Sequence, residues 1–404
     1  MSILRRLFGP EAPNGPGHLR PRWLFLRALG LIFFSAFYSL LFQIRGLIGP
    51  NGILPSPEYL AYARTAAGAK VYWLVPTLFW LNSGDHFMMT VTWIGLVASL
   101  LLIFNFWPRG MIFVCLLCYV SFVATSQVFG EYQSDGMLMA AGFLSLFLAP
   151  SGFRPRLGHE HPPSWASRCS LLWLWFQIYF ESGVVKLASH DPEWRHLTAL
   201  DHYYENGPLP DWIGWYAQQL PHWFHAGTAL FTLVAELGLV WMLFLPRRFK
   251  IICFLLVTPF QIGIILTANL AFINYLALSL GFLLLDDKFL GALHRRLIEP
   301  IKARFTAAAA EAPTPEAPKP PEVPATVQKM PAAGSRVLPP IIWREAWQRA
   351  GIVFAAIMLT WNFYAATAQL VLMFLPTLPL PTAPIVALAQ IRHWNSGLSY
   401  FWVL

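Results

Sequence analysis

Long apolar runs recur along the whole chain, and the short segments between them carry most of the charged residues. A helix needs about 20 apolar residues to cross a bilayer. Backbone groups in lipid must be paired within their own segment, so such runs are expected to be α-helices. The pattern therefore predicts an all-α fold, a polytopic transmembrane helical bundle of about nine spans. The predicted spans are 23–44, 87–107, 111–129, 136–150, 169–187, 228–245, two spans within 251–285 that divide near Ala268, and 350–375.

One apolar segment is too short to be a span. Residues 71–81 cover only about half of a bilayer, and Pro76 interrupts them. We therefore predict one re-entrant or interfacial segment in addition to the nine spans.

Lysine and arginine residues between the spans predict the orientation, because cytoplasmic loops carry an excess of both. With nine spans and one re-entrant segment, every basic segment falls on the same side, which predicts a cytoplasmic N-terminus. The predicted parts are a basic cytoplasmic N-terminus (1–22), a transmembrane core (23–290) with non-cytoplasmic loops 45–86 and 188–226, a cytoplasmic Ala/Pro-rich linker (291–348), a last transmembrane helix (349–375), and the start of a non-cytoplasmic C-terminal domain that continues beyond the chain (376–404).

The amino-acid composition agrees with a protein surface that is in contact mainly with lipid. Hydrophobic residues make up 56% of the 404 residues and charged residues 12%, whereas soluble domains carry about a quarter charged residues. The net charge is +8, but the arginines cluster beside apolar runs, so they indicate topology and not a nucleic-acid partner. The chain has no glycosylation sequon, which together with the linker favours a bacterial inner membrane over the endoplasmic reticulum. Nothing in the pattern indicates the oligomeric state.

No cofactor or metal site is predicted. The chain has no Gly-rich phosphate loop and no serine nucleophile elbow. The four cysteines lie in or beside apolar runs, where packing is the expected role. His222 and His225 could share one helical face, but no third ligand can be identified for a metal ion.

Charges inside predicted spans are the strongest candidates for function, because a charge in lipid needs a partner or a wet cavity. Glu181, Lys186 and Glu236 lie in spans, and Asp135 lies at a span end. One interpretation is a structural ion pair that fixes how the helices pack. The other is a polar pocket that opens to the non-cytoplasmic side.

The loop after Lys186 is dense in charged and aromatic residues. An aromatic belt at the membrane interface would explain its tryptophan and tyrosines. We also predict that Lys186, Trp194, Arg195 and Asp135 line one cavity. The other candidate pocket residues are Asp191, Thr198, Tyr204, Glu205 and, further along the chain, Asn274.

Several blocks carry a family resemblance. They are 43–55 (QIRGLIGPNGILP), 182–187 (SGVVKL), 191–195 (DPEWR) and 197–201 (LTALD). Together they resemble the membrane portion of the lipase maturation factor family, in a bacterial-type homologue. The resemblance implies a membrane-embedded factor that assists folding or assembly of secreted lipases or similar clients, which would meet its non-cytoplasmic loops. It also implies a soluble β-rich domain after the last span.

A second, shorter resemblance implies an enzyme. Gly183 and Lys186, followed by Trp194, resemble a stretch of vitamin K-dependent γ-carboxylase. That resemblance implies a γ-carboxylase-like intramembrane enzyme with Lys186 as the catalytic general base. The chain departs from the lipase maturation factor pattern at Tyr132, where that family has tryptophan, at Ala140, where it has glutamate, and within 268–274, where it has a Gly-Asn-Tyr-x-Phe-Phe-Asn run. Whether the protein is an enzyme stays open at this point.

Overall fold

The computed structural model describes residues 2–11, 17–130, 132–189, 191–207, 211–310, 341–375, 377–381 and 383–385. Within these residues the fold is all-α, and the β-type pairing is one isolated bridge between Pro10 and Ser164. The α-helices are α1 Ser2–Phe8, α2 Leu19–Ile48, α3 Ser56–Ala67, α4 Val71–Leu74, α5 Asp85–Ile103, α6 Pro108–Val123, α7 Gln133–Leu148, α8 Trp165–Ala188, α9 Pro192–His196, α10 Ala199–Asn206, α11 Trp212–Gln218, α12 His222–Leu237, α13 Arg247–Thr267, α14 Ile273–Gly281, α15 Asp287–Ala310 and α16 Ile341–Phe374. Short 3-10 helices are Gly68–Lys70, Leu78–Trp80, Gln127–Gly130, Leu239–Phe244 and Phe282–Leu284.

Five of the described helical segments are long and apolar enough to cross a membrane, so the protein is a multi-pass α-helical membrane protein. They are Leu19–Ile48, Asp85–Ile103, His222–Phe244, Arg247–Thr267 and Ala346–Phe374. Pro108–Val123 and Ile273–Leu284 are apolar but shorter. Helices α7 and α8 occupy the other two predicted positions. Most of the predicted linker and most of residues 376–404 lie outside the described residues.

The predicted re-entrant segment is not one helix. Residues 71–81 form α4 and the 3-10 helix Leu78–Trp80, with a break at Pro76. Thr77 donates its hydroxyl to the carbonyl of Ser121 (3.1 Å), and the Ser121 hydroxyl accepts from the N–H of Leu78 (3.0 Å). The segment is therefore bound to α6 by hydrogen bonds that satisfy its interrupted backbone.

The core forms where α2, α5, α6 and α7 pack in series. Phe33 and Phe37 of α2 are fully buried, and both meet Tyr119 of α6 edge-on, with ring centroids 6.0 and 5.8 Å apart. Edge-to-face aromatic pairs contribute roughly 0.5–1.5 kcal/mol beyond their buried area. In a membrane, where lipid is as apolar as the core, such close packing is what holds helices together.

Charged contacts join four separate segments at one end of the bundle, which we call the arginine end (residues 17–22, 157–168, 247 and 286–287). Asp287 accepts from the N–H groups of Leu19 (3.1 Å) and Arg20 (2.7 Å), so it caps the N-terminus of α2. Arg22 donates to loop carbonyls of residues 157–161, and Arg247 pairs with Asp286. Helix α8 then leads away from this end, because Arg168 and Lys186 lie roughly 27 Å apart along its axis.

Candidate functional site

Lys186 is bound by a carboxylate on a neighbouring helix. Its Nζ lies 2.8 Å from Oε2 and 2.9 Å from Oε1 of Glu236 on α12. Its third contact is the hydroxyl of Ser182, one turn earlier on α8, at 2.7 Å. The Ser182 hydroxyl in turn donates to Oε1 of Glu236 (3.1 Å). We call Lys186, Glu236, Ser182 and Trp194 the Lys186 site.

The sequence around Lys186 brings its two helices close enough for this pairing. A Cβ at Gly183 would lie 2.8 Å from the side chain of Leu237 and 2.9 Å from Cβ of Glu236. Only glycine therefore permits α8 and α12 to approach this closely, as small residues do elsewhere in membrane helix pairs. The side chains of Lys186 and Glu236 are consequently only 20% and 8% exposed.

The DPEWR block folds back over the end of α8. Asp191 is the N-cap of α9 and accepts from the N–H of Glu193 at 2.9 Å. Arg195 donates to the carbonyl of Leu187 at 2.9 Å, so a cation meets an unpaired carbonyl of the helix C-terminus. Trp194 places its ring 5.1 Å from Nζ of Lys186, within cation–π distance. Lys186, Trp194 and Arg195 thus lie together at the end of α8, with Asp191 beside them.

Two other carboxylates have partners of their own. Asp135 accepts from the hydroxyl of Tyr119 at 2.5 Å, so it is bound to α6. Glu181 is 2% exposed and accepts from the amide of Gln177 at 3.1 Å. Gln177 also donates to the carbonyl of Ala366 on α16, at 3.1 Å. Asp135 is therefore bound to α6, and Glu181 is bound to a glutamine that also contacts α16. The carboxylate bound to Lys186 is Glu236.

Asn274 belongs to a buried row of polar side chains that joins three helices. Tyr179 of α8 donates its hydroxyl to Gln261 of α13 at 2.6 Å. Gln261 then donates to the Oδ1 of Asn274 on α14 at 2.8 Å. Each bond ties one helix to the next inside the membrane, where an unpaired polar group is costly.

The remaining candidates lie in α10 or directly before it, and α10 packs against α12. Thr198 precedes α10, and its N–H donates to the carbonyl of Glu193 at 2.9 Å. Tyr204 is half-buried, with its ring centroid 5.9 Å from that of His225. Burial raises the pKa of Tyr204, so its hydroxyl stays neutral at physiological pH. Glu205 is exposed.

Sequence reasoning missed four side chains that complete these contacts. Ser182 could have been found, because it lies four residues before Lys186 on the same helical face. Tyr119, Gln177 and Gln261 lie in apolar runs, and the polar group of each side chain is the only sequence signal that distinguishes it. In the part of the chain that the structure describes, no three His, Cys, Asp or Glu residues are grouped closely enough to hold a metal ion.

The Lys186 site can hold helices together, and it leaves little scope for proton abstraction. An ammonium group donates three hydrogen bonds and accepts none. Here two donors meet Glu236 and one meets Ser182. All three donors of the ammonium group are therefore directed at protein acceptors.

Comparison with known proteins gives the family. A family model described as the lipase maturation factor transmembrane domain matches residues 20–292. Lipase maturation factor 2 of Gallus gallus is 37% identical over 292 residues, which are 67% of this chain and 39% of that protein. Lipase maturation factor 2 of Homo sapiens is 35% identical over 298 residues, covering 68% of this chain and 41% of the relative. Lipase maturation factor 1 of Bos taurus is 31% identical over 319 residues, covering 72% and 57% respectively.

The chain spans about two fifths of the length of the lipase maturation factor 2 relatives that it matches. The matched region runs from the start of α2 into α15 and includes the whole Lys186 site. No solved structure matches the chain. The matches give no support to the γ-carboxylase resemblance.

Proposed function

The chain belongs to the lipase maturation factor family, and on that premise we propose that it is a membrane-embedded maturation factor. Its clients would be secreted lipases or similar proteins, whose folding or assembly it assists. The observation that carries the proposal is the match over residues 20–292, which includes every helix of the Lys186 site.

We assign the Lys186 site a positioning role in this function. Glu236 holds the end of α8, and Arg195 and Trp194 bind the following loop to that end. The start of loop 188–226, the surface proposed to meet the client, is thereby bound to the end of α8. The γ-carboxylase-like alternative, with Lys186 as general base, is less favoured because both Glu236 oxygens bind the ammonium group.

The proposed topology keeps nine spans, a cytoplasmic N-terminus and the loops 45–86 and 188–226 on the outer side. It is supported by the contacts that gather the basic segments at the arginine end. A single cysteine placed at Asn206 would test it, with the native cysteines replaced. Labelling of that cysteine by a membrane-impermeant reagent from the cytoplasmic side alone would overturn it.

The membrane that the protein occupies is a further part of the proposal. The Ala/Pro-rich linker and the missing sequons favour the bacterial inner membrane. The relatives named above are vertebrate proteins and give this preference no support. Fractionation of the source cells with an antibody to the chain would decide between the two membranes.

The function is tested by co-expression of the chain with a secreted lipase in cells that lack a maturation factor. Active lipase per milligram of secreted lipase should rise when the chain is present. No rise for any secreted lipase of the source organism would contradict the proposal.

Lys186→Met tests the site within the same assay, with Lys70→Met as the control because Lys70 is exposed in the other outer loop. We expect Lys186→Met to lower lipase activity, and Lys70→Met to leave it unchanged. A loss of chain abundance that matches the loss of activity supports the positioning role. A loss of activity at normal abundance and stability supports the enzymatic alternative instead.

A further inference from the structure

A large cavity in the described part of the chain lies away from the Lys186 site. It is a groove of about 2490 Å³ between α6, α7 and α16. Its middle is lined by apolar side chains from all three helices, including Phe113, Phe143 and Phe354. Phe113 and Phe354 are more than half exposed, so helix packing leaves their surface for another apolar molecule.

One end of this groove is basic. Arg5 of α1, Arg109 of α6 and Arg349 of α16 line it, and Glu160 is the acidic residue among the lining side chains. All three arginines are exposed. Arg109 donates one hydrogen bond to the carbonyl of Ala149 (2.7 Å). Most of its five N–H donors therefore remain for another acceptor. This end lies at the arginine end of the bundle, because His161 lines it too.

The other end of the groove is closed by the broken segment 71–81. Tyr72, Thr77 and Trp80 line the groove there, and Thr77 is bound to Ser121 of α6. From Arg109 to Val120 the α6 wall is roughly 16 Å long, at 1.5 Å per residue. That length is about half of the 30 Å hydrocarbon core. The groove is therefore as deep as one leaflet of a bilayer.

The depth and the charge of the groove together indicate which kind of molecule fits it. A transmembrane helix of a partner would need a groove of about 30 Å, whereas the acyl chains of one lipid need only a leaflet. Phosphate is the group that a cluster of arginines binds best, and basic pockets between membrane helices bind anionic headgroups. A water-sized group occupies roughly 30 Å³, so the groove has room for about eighty such groups. That is enough for two acyl chains and a headgroup.

We infer that this groove is a binding site for an anionic phospholipid of the leaflet at the arginine end. Arg5, Arg109 and Arg349 hold its phosphate, and its acyl chains lie along Phe113, Phe143 and Phe354. The lipid fills the space between α16 and helices α6 and α7. It thereby anchors a helix that the chain reaches only through the long linker.

The test is binding of phosphatidylglycerol and phosphatidylcholine to the full chain, purified in mild detergent and stripped of lipid. Native mass spectrometry would measure the affinity for each. We expect phosphatidylglycerol to bind at least tenfold more tightly. The double substitution Arg109→Gln, Arg349→Gln should weaken phosphatidylglycerol binding about 25-fold, the product of two roughly fivefold contributions, and leave phosphatidylcholine binding unchanged.

Two further variants separate the groove from general charge. Arg156→Gln, Arg248→Gln removes the same charge from exposed residues that do not line the groove, and it should retain full binding. Ala355→Phe places a ring on the α16 wall of the groove and keeps the arginines, and it should weaken binding of both lipids. Equal weakening by the two arginine pairs, or full binding by Ala355→Phe, would overturn the site. So would a stoichiometric protein that co-purifies in the groove and excludes lipid.

Discussion

At the arginine end, Arg22 reaches from α2 to three carbonyls of a loop, whereas at the Lys186 site both charged partners are side chains of helices. The guanidinium group offers five donors in a fixed fork, so it can satisfy several backbone groups at once. The ammonium group is a compact charge and needs a compact countercharge in low dielectric. The first arrangement fixes a loop to a helix, and the second fixes two helices to each other.

This difference predicts unequal sensitivity to the loss of one partner. Loss of the Arg22 side chain leaves neutral carbonyls without a donor. Loss of the Glu236 carboxylate leaves the full charge of Lys186 without a counter-ion inside the bundle, which costs more. Substitutions at the arginine end and at the Lys186 site should therefore differ in how much stability they remove and in which segments they loosen.

The largest effect is expected for Glu236→Gln. It leaves the Lys186 charge only 20% exposed and without its counter-ion. Removal of one partner of a buried pair costs about 3–5 kcal/mol, so thermal unfolding in detergent should shift down strongly and abundance should fall. Glu205→Gln is the matched control, because Glu205 is exposed in the same region.

The pair can also be removed as a unit. Lys186→Met together with Glu236→Leu replaces the ion pair by apolar groups, which is often neutral for stability. Recovery of most of the stability lost in Glu236→Gln would show that the uncompensated charge was the cause. If the single substitution instead leaves the unfolding temperature unchanged, the two places do not differ as argued.

The comparison also shows what can be predicted from a sequence. Each span is a pattern along one dimension, so the helices of the core and the basic segments beside them were found by hydropathy and charge alone. Lys186 was found because a charge in an apolar run stands out. Its partner was not, because the choice among Glu181, Glu236 and Asp135 depends on how closely two helices pack.

The missing information is three-dimensional. The pairing with Glu236 follows from the approach of α8 and α12 at Gly183. Asp135 was expected beside Lys186, yet it binds Tyr119, whose hydroxyl gives no signal within an apolar run. The groove beside α16 was not foreseen either, since that helix is distant from α6 and α7 in sequence.

A smaller effect is expected for Arg22→Leu. The Arg22 side chain is 1% exposed and donates to the carbonyls of His161 (2.6 Å), Leu157 (2.7 Å) and Gly158 (3.1 Å). Its loss should cost about 1–3 kcal/mol, the range for unsatisfied buried polar groups. The loop should also loosen, so trypsin should cut faster after Arg156, which precedes Leu157.

Arg20→Leu is the control for Arg22→Leu, because the Arg20 side chain is exposed in the same turn of α2. It should change neither stability nor the rate of cleavage. Faster cleavage in both variants would mean that loss of charge, and not loss of the carbonyl contacts, loosens the loop.

The smallest effect concerns pH and the Arg247–Asp286 pair. Burial raises the pKa of Asp286, but hydrogen bonds from Arg247 and from the N–H of Phe289 outweigh it, so the pKa lies below its usual value. A carboxylate with a lowered folded-state pKa contributes stability above its unfolded pKa of about 3.9 and loses that contribution as pH falls through the folded value. Stability from this pair should therefore be constant from pH 5 to 8 and decline below about pH 4. Because Arg247 is 49% exposed, the contribution should be at most about 1 kcal/mol.

Asp286→Asn should lower the unfolding temperature slightly at pH 7. The difference in unfolding temperature between this variant and the native chain should narrow as pH falls below 4. Thermal unfolding of both chains from pH 3 to 8 measures this gap. A gap that widens in acid would mean that Asp286 gains no stability from Arg247, and the arginine end would then be held by Arg22 and the Asp287 cap alone.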